Sequence, residues 1–149
     1  MDKIKFGTDG WRGVIAKDFT LANVAKFAYG LARWFIRKFP NSSIVVGYDC
    51  RFGGEMFMEA VAKILASKNI RVYISENFVT TPMVSLGVVK LKANCGVMIT
   101  ASHNSAEYNG IKLKADFGGP MLEKDIKDIE NLISSDYDAV HGLLPESNT

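Results

Sequence analysis

The stretch IVVGYDCRFGGEMFMEAVAKILASKNIRVYIS, residues 44–75, decides the architecture. It opens on Ile44-Val45-Val46-Gly47-Tyr48-Asp49, a short apolar run rich in β-branched residues that ends on a polar one. That length and composition predict a buried strand. From about Gly54 to Lys68, Met58, Val61, Ala62 and Leu65 fall on one helical face, and Arg71 to Ser75 reads as a second strand. Strand, helix and strand in succession imply an α/β layer with a mainly parallel sheet.

Upstream, Asp18 to Phe39 is the clearest helix. Leu21, Val24, Ala25, Ala28, Leu31, Ala32, Phe35 and Phe39 recur at the helical period, Thr20 stands where a cap belongs, and Pro40-Asn41 stops the run. Downstream, Thr81-Pro82 reads as an N-cap with proline at the first helical position, opening a Val-rich helix to Lys92. Gly96 to Thr100 is a third strand and Ile111 to Ala115 a fourth. Gly118-Gly119-Pro120 turns the chain into a last helix carrying Leu122, Ile126, Ile129 and Ile133. From Asp136 the pattern dissolves into a loose tail.

Composition fits a single domain of 149 residues. Apolar residues are 48% and charged residues 23%, near globular averages. A chain of this size buries roughly 68–70% of its unfolded surface, so no staple is required. Eighteen basic against sixteen acidic residues leave a formal charge of +2, which argues against a dedicated nucleic-acid binder. No apolar run approaches membrane-spanning length. Residues Met1 to Gly10 lack the apolar region of a signal peptide. A cytoplasmic location is therefore expected, with Cys50 and Cys95 as free thiols used for packing.

In α/β sheets ligands collect outside the carboxyl ends of strands, where the strand order switches. Two polar loops occupy that position: Asp49-Cys50-Arg51 after the first strand and Ala101-Ser102-His103-Asn104 after the third. The segment Thr100 to Lys112 is the richest in chemistry, with a hydroxyl, an imidazole, amides and a lysine within 13 residues. Its blandest reading is a solvated turn between strands. A serine-hydrolase reading is weak, because Ser102 and His103 are adjacent and Gly-x-Ser-x-Gly is missing. Phosphate handling fits better: backbone amides and Asn side chains donate hydrogen bonds, and Lys112 supplies a cation.

A second segment, Phe6-Gly7-Thr8-Asp9-Gly10-Trp11-Arg12-Gly13, spaces glycines at every third position. That pattern permits tight turns and close backbone approach to a ligand. It lacks the lysine and hydroxyl of a nucleotide phosphate loop. Read alone it is an N-terminal turn before a helix, in which Arg12 offers a guanidinium suited to phosphate.

Together these segments resemble the α-D-phosphohexomutases, the phosphoglucomutase and phosphomannomutase family. Gly7 to Gly13 is similar to the family's amino-terminal glycine loop, and Thr100 to Lys112 to its phosphoserine loop. Val46 to Arg51 and Thr81-Pro82 are similar to further family features. The resemblance implies an α/β/α layered domain, with a mixed, mainly parallel four-stranded sheet and one antiparallel edge strand. It places that first domain at residues 1–136 and a tail or linker toward a second domain at 137–149.

By the same resemblance, Ser102 carries a phosphoryl group and gives it to a hexose phosphate. The hexose bisphosphate so formed reorients and returns its other phosphate. Lys112 and Arg12 would stabilise the transferring group or assist proton transfer, and His103 would line the pocket, as a base or a hydrogen-bonding group. Asn104, Asn109, Gly10 and Thr8 would bind substrate or phosphate, with Asp49 and Arg51 as a supporting ion pair. His141 in the tail is expected to be solvated. Mg²⁺ is implied with one ligand from phosphorylated Ser102 and the others from a domain this chain does not contain. The acidic metal loop, the sugar-selecting segment and the carboxy-terminal phosphate loop of the family do not occur in the 149 residues. The isolated domain is therefore expected to be inactive, its partners being sugar phosphates and the remaining domains of the same polypeptide. One position departs from the pattern: Ser105 stands where the family usually has proline, which would loosen the loop and add a hydroxyl. The competing readings are a non-catalytic phosphosugar-binding or assembly module and, more remotely, a serine hydrolase.

Overall fold

The structure is a computed structural model and describes residues 4–7, 10–41 and 43–133. Thr8, Asp9, His141 and the whole tail expected beyond the last helix lie outside the described residues.

Nine elements follow one another: β1 (Trp11–Val14), α1 (Leu21–Lys38), β2 (Ser43–Tyr48), α2 (Gly54–Ser67), β3 (Arg71–Ile74), α3 (Thr81–Lys90), β4 (Cys95–Ile99), β5 (Tyr108–Ala115) and α4 (Glu123–Leu132). The five strands form one mixed sheet in the order β1-β5-β4-β2-β3. β2 pairs in parallel with β3 on one side and β4 on the other, while β5 runs antiparallel to both β4 and β1. The α/β class expected from residues 44–75 holds, with one strand more than the apolar runs disclose.

That extra strand is the main correction. The glycine-spaced segment read as a turn enters the sheet at Trp11–Val14 and forms its antiparallel edge beside β5. Four residues with two polar or small members carry too little pattern to identify a strand. The pairing is supplied by β5, and Trp11 is drawn inward onto Phe19, ring centroids 4.8 Å apart. β5 likewise begins at Tyr108 rather than Ile111, because Tyr108-Asn109-Gly110 pairs with β1.

Local chemistry sets the helix ends. The Thr20 hydroxyl accepts a hydrogen bond from the Asn23 N–H at 3.2 Å, satisfying one of the donors a helix start leaves free. At α3 the cap falls one residue earlier than expected: Thr80 is the capping position and Pro82 sits within the first turn.

The buried side chains form two groups on opposite faces of the sheet. On one face α1 and α2 pack with Phe27, Leu31, Phe35, Phe57 and Leu65 against Ile44, Val97 and Ile111, and α4 rests on α1. On the other, Val84 and Val88 of α3 meet Val45 and Met98. Apolar burial at about 25 cal/mol per Å² makes these two faces the main source of stability. α3 lies close because Gly47 and Gly96 have no side chain there; a Cβ at either would meet a valine methyl at 2.7 Å. No helix among the described residues is long and apolar enough to cross a membrane.

Candidate functional site

The chain leaves β2 through α2 to β3 on one side and reaches β4 on the other side of β2 through α3. The order therefore switches between β2 and β4, and a crevice opens at their carboxyl ends. The two polar loops meet there, one following Tyr48 and the other following Ile99.

Backbone pairing continues one step past the strands, where the Asp49 N–H donates to the Ile99 carbonyl at 3.1 Å. This sets the buried Thr100 beside Asp49, and the Thr100 hydroxyl donates to Asp49 Oδ2 at 2.5 Å. The same hydroxyl accepts from the Ser102 N–H at 3.0 Å, and Asp49 Oδ1 accepts from the Arg51 N–H at 3.2 Å. Charged acceptors make such bonds short and strong.

Ser102 is exposed and adopts φ = +53°. Left-handed backbone costs a non-glycine residue about 1–3 kcal/mol and persists only where the surroundings determine it. Arg51 lies beside this loop. Its guanidinium donates to four loop carbonyls: Nη2 to Ser102 at 2.8 Å and Asn104 at 2.6 Å, Nη1 to Ser105 at 2.8 Å and Tyr108 at 3.0 Å. Its Nε lies 3.8 Å from Asp49 Oδ2. The expected ion pair is present, and most of the guanidinium's donors are used on the loop instead.

The position where the family usually has proline is accommodated in this scheme. Ser105 contributes its carbonyl, which a proline would also offer. Its hydroxyl bonds the Glu107 carboxylate, which is held below its ordinary range first by its own backbone N–H and then by Ser105. Arg51 ties the loop at the Ser105 carbonyl, a group that a proline would share.

Arg12 reaches the serine loop from the sheet, and Lys112 stands next to it there. Arg12 on β1 is paired with Gly110 on β5, and Gly110 is paired with Thr100 through the Thr100 N–H to Gly110 carbonyl bond of 2.9 Å. A Cβ at 110 would meet the Trp11 carbonyl oxygen at 2.5 Å, the Thr100 carbonyl oxygen at 2.8 Å and Arg12 Cγ at 3.0 Å. Glycine here lets the Arg12 stem cross toward the serine loop, where Nη1 donates to Asn104 Oδ1 at 2.7 Å. With its oxygen so engaged, Asn104 is left to offer its NH2 as a donor. Two residues on from Gly110, Lys112 shares its face of the sheet. Gly10 (φ +102°) packs against the Ile111 carbonyl, and a Cβ there would lie 3.3 Å from Lys112 Cγ. Arg12 and Lys112 are thus diagonal neighbours on adjacent strands, both half-buried.

The remaining residues separate by exposure. His103 is exposed beside Ser102, and no hydrogen bond joins the Ser102 hydroxyl to an imidazole or carboxylate among the described residues. A hydrolytic triad is not assembled there. Asn109 is fully buried, its amide donating to the Phe52 carbonyl at 3.3 Å and accepting from the Gly110 N–H at 2.9 Å. It joins the two loops from inside, with its side chain bonded to the protein. Thr8 lies outside the described residues. Both cysteines are free, Cys50 exposed and Cys95 buried, with burial pushing the Cys95 thiol up to about 12.

Two residues that hold the site had no role in the sequence reading. Thr100 was legible as a polar residue ending an apolar strand. Gly110 was legible only together with β1, which the periodicity did not disclose. Among the described residues no group of three or more His, Cys, Asp or Glu side chains converges as a metal cage.

Comparison with known proteins identifies the fold and the family. The family model described as phosphoglucomutase/phosphomannomutase, alpha/beta/alpha domain I, matches residues 3–139. The phosphoglucomutase of Staphylococcus saprophyticus is 36% identical over 135 residues, covering 89% of this chain and 24% of the relative. That of Staphylococcus epidermidis strain ATCC 12228 is 36% identical over 149 residues, 98% of this chain and 27% of the relative. Among solved structures, a Thermus thermophilus protein provisionally described as a phosphomannomutase superposes with a TM-score of 0.86 at 39% identity. It is matched over 89% of this chain and 30% of its own. The chain therefore spans about a quarter of the length of these curated relatives. It belongs to the phosphoglucomutase/phosphomannomutase family, as that family's α/β/α domain I.

Proposed function

We propose that this domain carries the phosphoserine of a hexose-phosphate mutase, with Ser102 as the residue that holds and transfers the phosphoryl group. The observation that carries the reading is the placement of Ser102. It is exposed, in left-handed backbone, on the loop at the switch point of the sheet, with Arg12 bonded to Asn104 of that loop and Lys112 diagonal to Arg12 on the adjacent strand.

In the forward step the bond from phosphorus to Ser102 Oγ breaks and one from phosphorus to a sugar hydroxyl oxygen forms. The hydroxyl loses its proton and the serine oxygen regains one. The bisphosphate reorients, and its other phosphoryl group returns to Ser102 by the reverse exchange. Phosphoryl transfer is governed by positioning and charge neutralisation. Arg12 and Lys112 would neutralise the moving group, and the Asn104 NH2 would donate to its oxygens. His103, exposed beside the serine, would hydrogen-bond substrate or accept the hydroxyl proton.

Magnesium, when bound, would neutralise phosphoryl charge. One oxygen of phosphorylated Ser102 is the ligand this domain would contribute, the others coming from a domain outside these residues. We place domain I at residues 1–136, residues 137–149 leading toward the next domain, and the whole polypeptide in the cytoplasm. The substrates would be hexose 1- and 6-phosphates. Replacing Ser102→Ala in the full-length polypeptide should abolish turnover in a coupled hexose-phosphate assay while leaving the melting midpoint near wild type. Retained turnover would reject the reading.

A further inference from the structure

We infer that Asp49 and Arg51, two residues of the turn leaving β2, together pin the backbone of Ser102 at both of its polar ends, which makes Arg51 a positioning residue. The functional part of this inference rests on the phosphoserine reading above. The N–H of Ser102 is held by the Thr100 hydroxyl, itself bonded to Asp49 Oδ2. The carbonyl of Ser102 is held by Arg51 Nη2. With N–H and C=O both fixed from one turn, φ and ψ of Ser102 are set without reference to its own preference, which disfavours φ = +53°.

Arg51 is suited to this because a guanidinium offers five donors in a rigid planar fork. Four hydrogen bonds go to loop carbonyls, and Nε faces Asp49. Its side chain is 14% exposed, so its donors are engaged inside the loop and are not free to grip a phosphate. The clamp has a second consequence. A trans peptide carries its N–H opposite its C=O. Carbonyls of 102, 104 and 105 converging on Arg51 turn the N–H groups of His103, Ser105 and Ala106 away from it, toward the solvent side where Ser102 lies. The same cation therefore aims the partial positive ends of the loop's peptides at the place a dianion would occupy.

Amide hydrogen exchange on this chain tests the clamp without phosphate, sugar or catalysis. The amides of Ser102, Asn104 and Tyr108 are read against ladder amides of β2 and β4. A hydrogen bond to a charged group contributes enough that Arg51→Met should speed the three loop amides by at least about tenfold. The ladder amides should stay within about twofold, and Arg51→Lys, with one compact ammonium, should fall between. In the full-length polypeptide Arg51→Met should lower kcat for a hexose phosphate with little change in KM, again partly rescued by lysine. Unchanged loop exchange, or acceleration shared equally by β2 and β4, would overturn the clamp. Were Arg51→Met not to fold, loop exchange in Arg51→Lys equal to wild type would overturn it just as well. A wild-type protein without turnover would count against the phosphoserine reading alone, the exchange result still deciding the role of Arg51.

Discussion

Lys112 is the residue whose role separates chemistry from folding most cleanly. It stands on β5 with its stem against Gly10, diagonal to Arg12 and half-buried. In the proposed reading it is a cation facing the phosphoryl group, acting where charge is transferred. Lys112→Met in the full-length polypeptide should then lower turnover by on the order of 3 kcal/mol, about a hundredfold. Stability should move by no more than about 0.5 kcal/mol. Turnover and the melting midpoint of this one variant decide the matter: unchanged turnover removes Lys112 from the chemistry, and a joint fall assigns it to the fold. Ser102, Lys112 and Arg12 could be singled out from residue type and family resemblance. The destination of Arg51 could not, since a guanidinium gripping four carbonyls leaves no trace in residue spacing. The burial of Asn109 was equally illegible. An amide in a polar loop invites a ligand role, and only burial reveals that both its ends are satisfied by protein.

At the scale of elements, the site depends on a row crossing four strands: Arg12 and Gly110, then Thr100, then Asp49. The β2–α2–β3 unit was readable because apolar runs and helical periodicity agree there, and α1 and α4 were readable for the same reason. β1 was not, because an edge strand of four residues is stabilised by its partner and not by its own pattern. The row predicts a sensitive position that lies outside the reacting groups. Gly110→Ala would drive a methyl group against two carbonyl oxygens, and overpacking of this kind costs about 1–3 kcal/mol. Urea unfolding should register that loss, and turnover of the full-length polypeptide should fall with it as Arg12 is displaced. A variant with wild-type stability and turnover would show that β1 and β5 can separate at no cost.

For the molecule as a whole, helices on both faces bury two apolar groups around one sheet, a core sufficient for a chain of this size. The 149-residue chain should therefore unfold in one cooperative transition by circular dichroism and yet give no hexose-phosphate turnover. In the proposed reading, sugar selection and the remaining metal ligands belong to domains outside it. Turnover by the purified chain would show that those domains are dispensable. The central claim concerns a single covalent state. After the full-length polypeptide is incubated with a hexose bisphosphate, tryptic cleavage following Lys92 and Lys112 yields one peptide containing both Ser102 and Ser105. Fragmentation of that peptide by tandem mass spectrometry should place one phosphoryl group on Ser102. A phosphoryl group on Ser105 alone, or an unmodified peptide, would contradict the account.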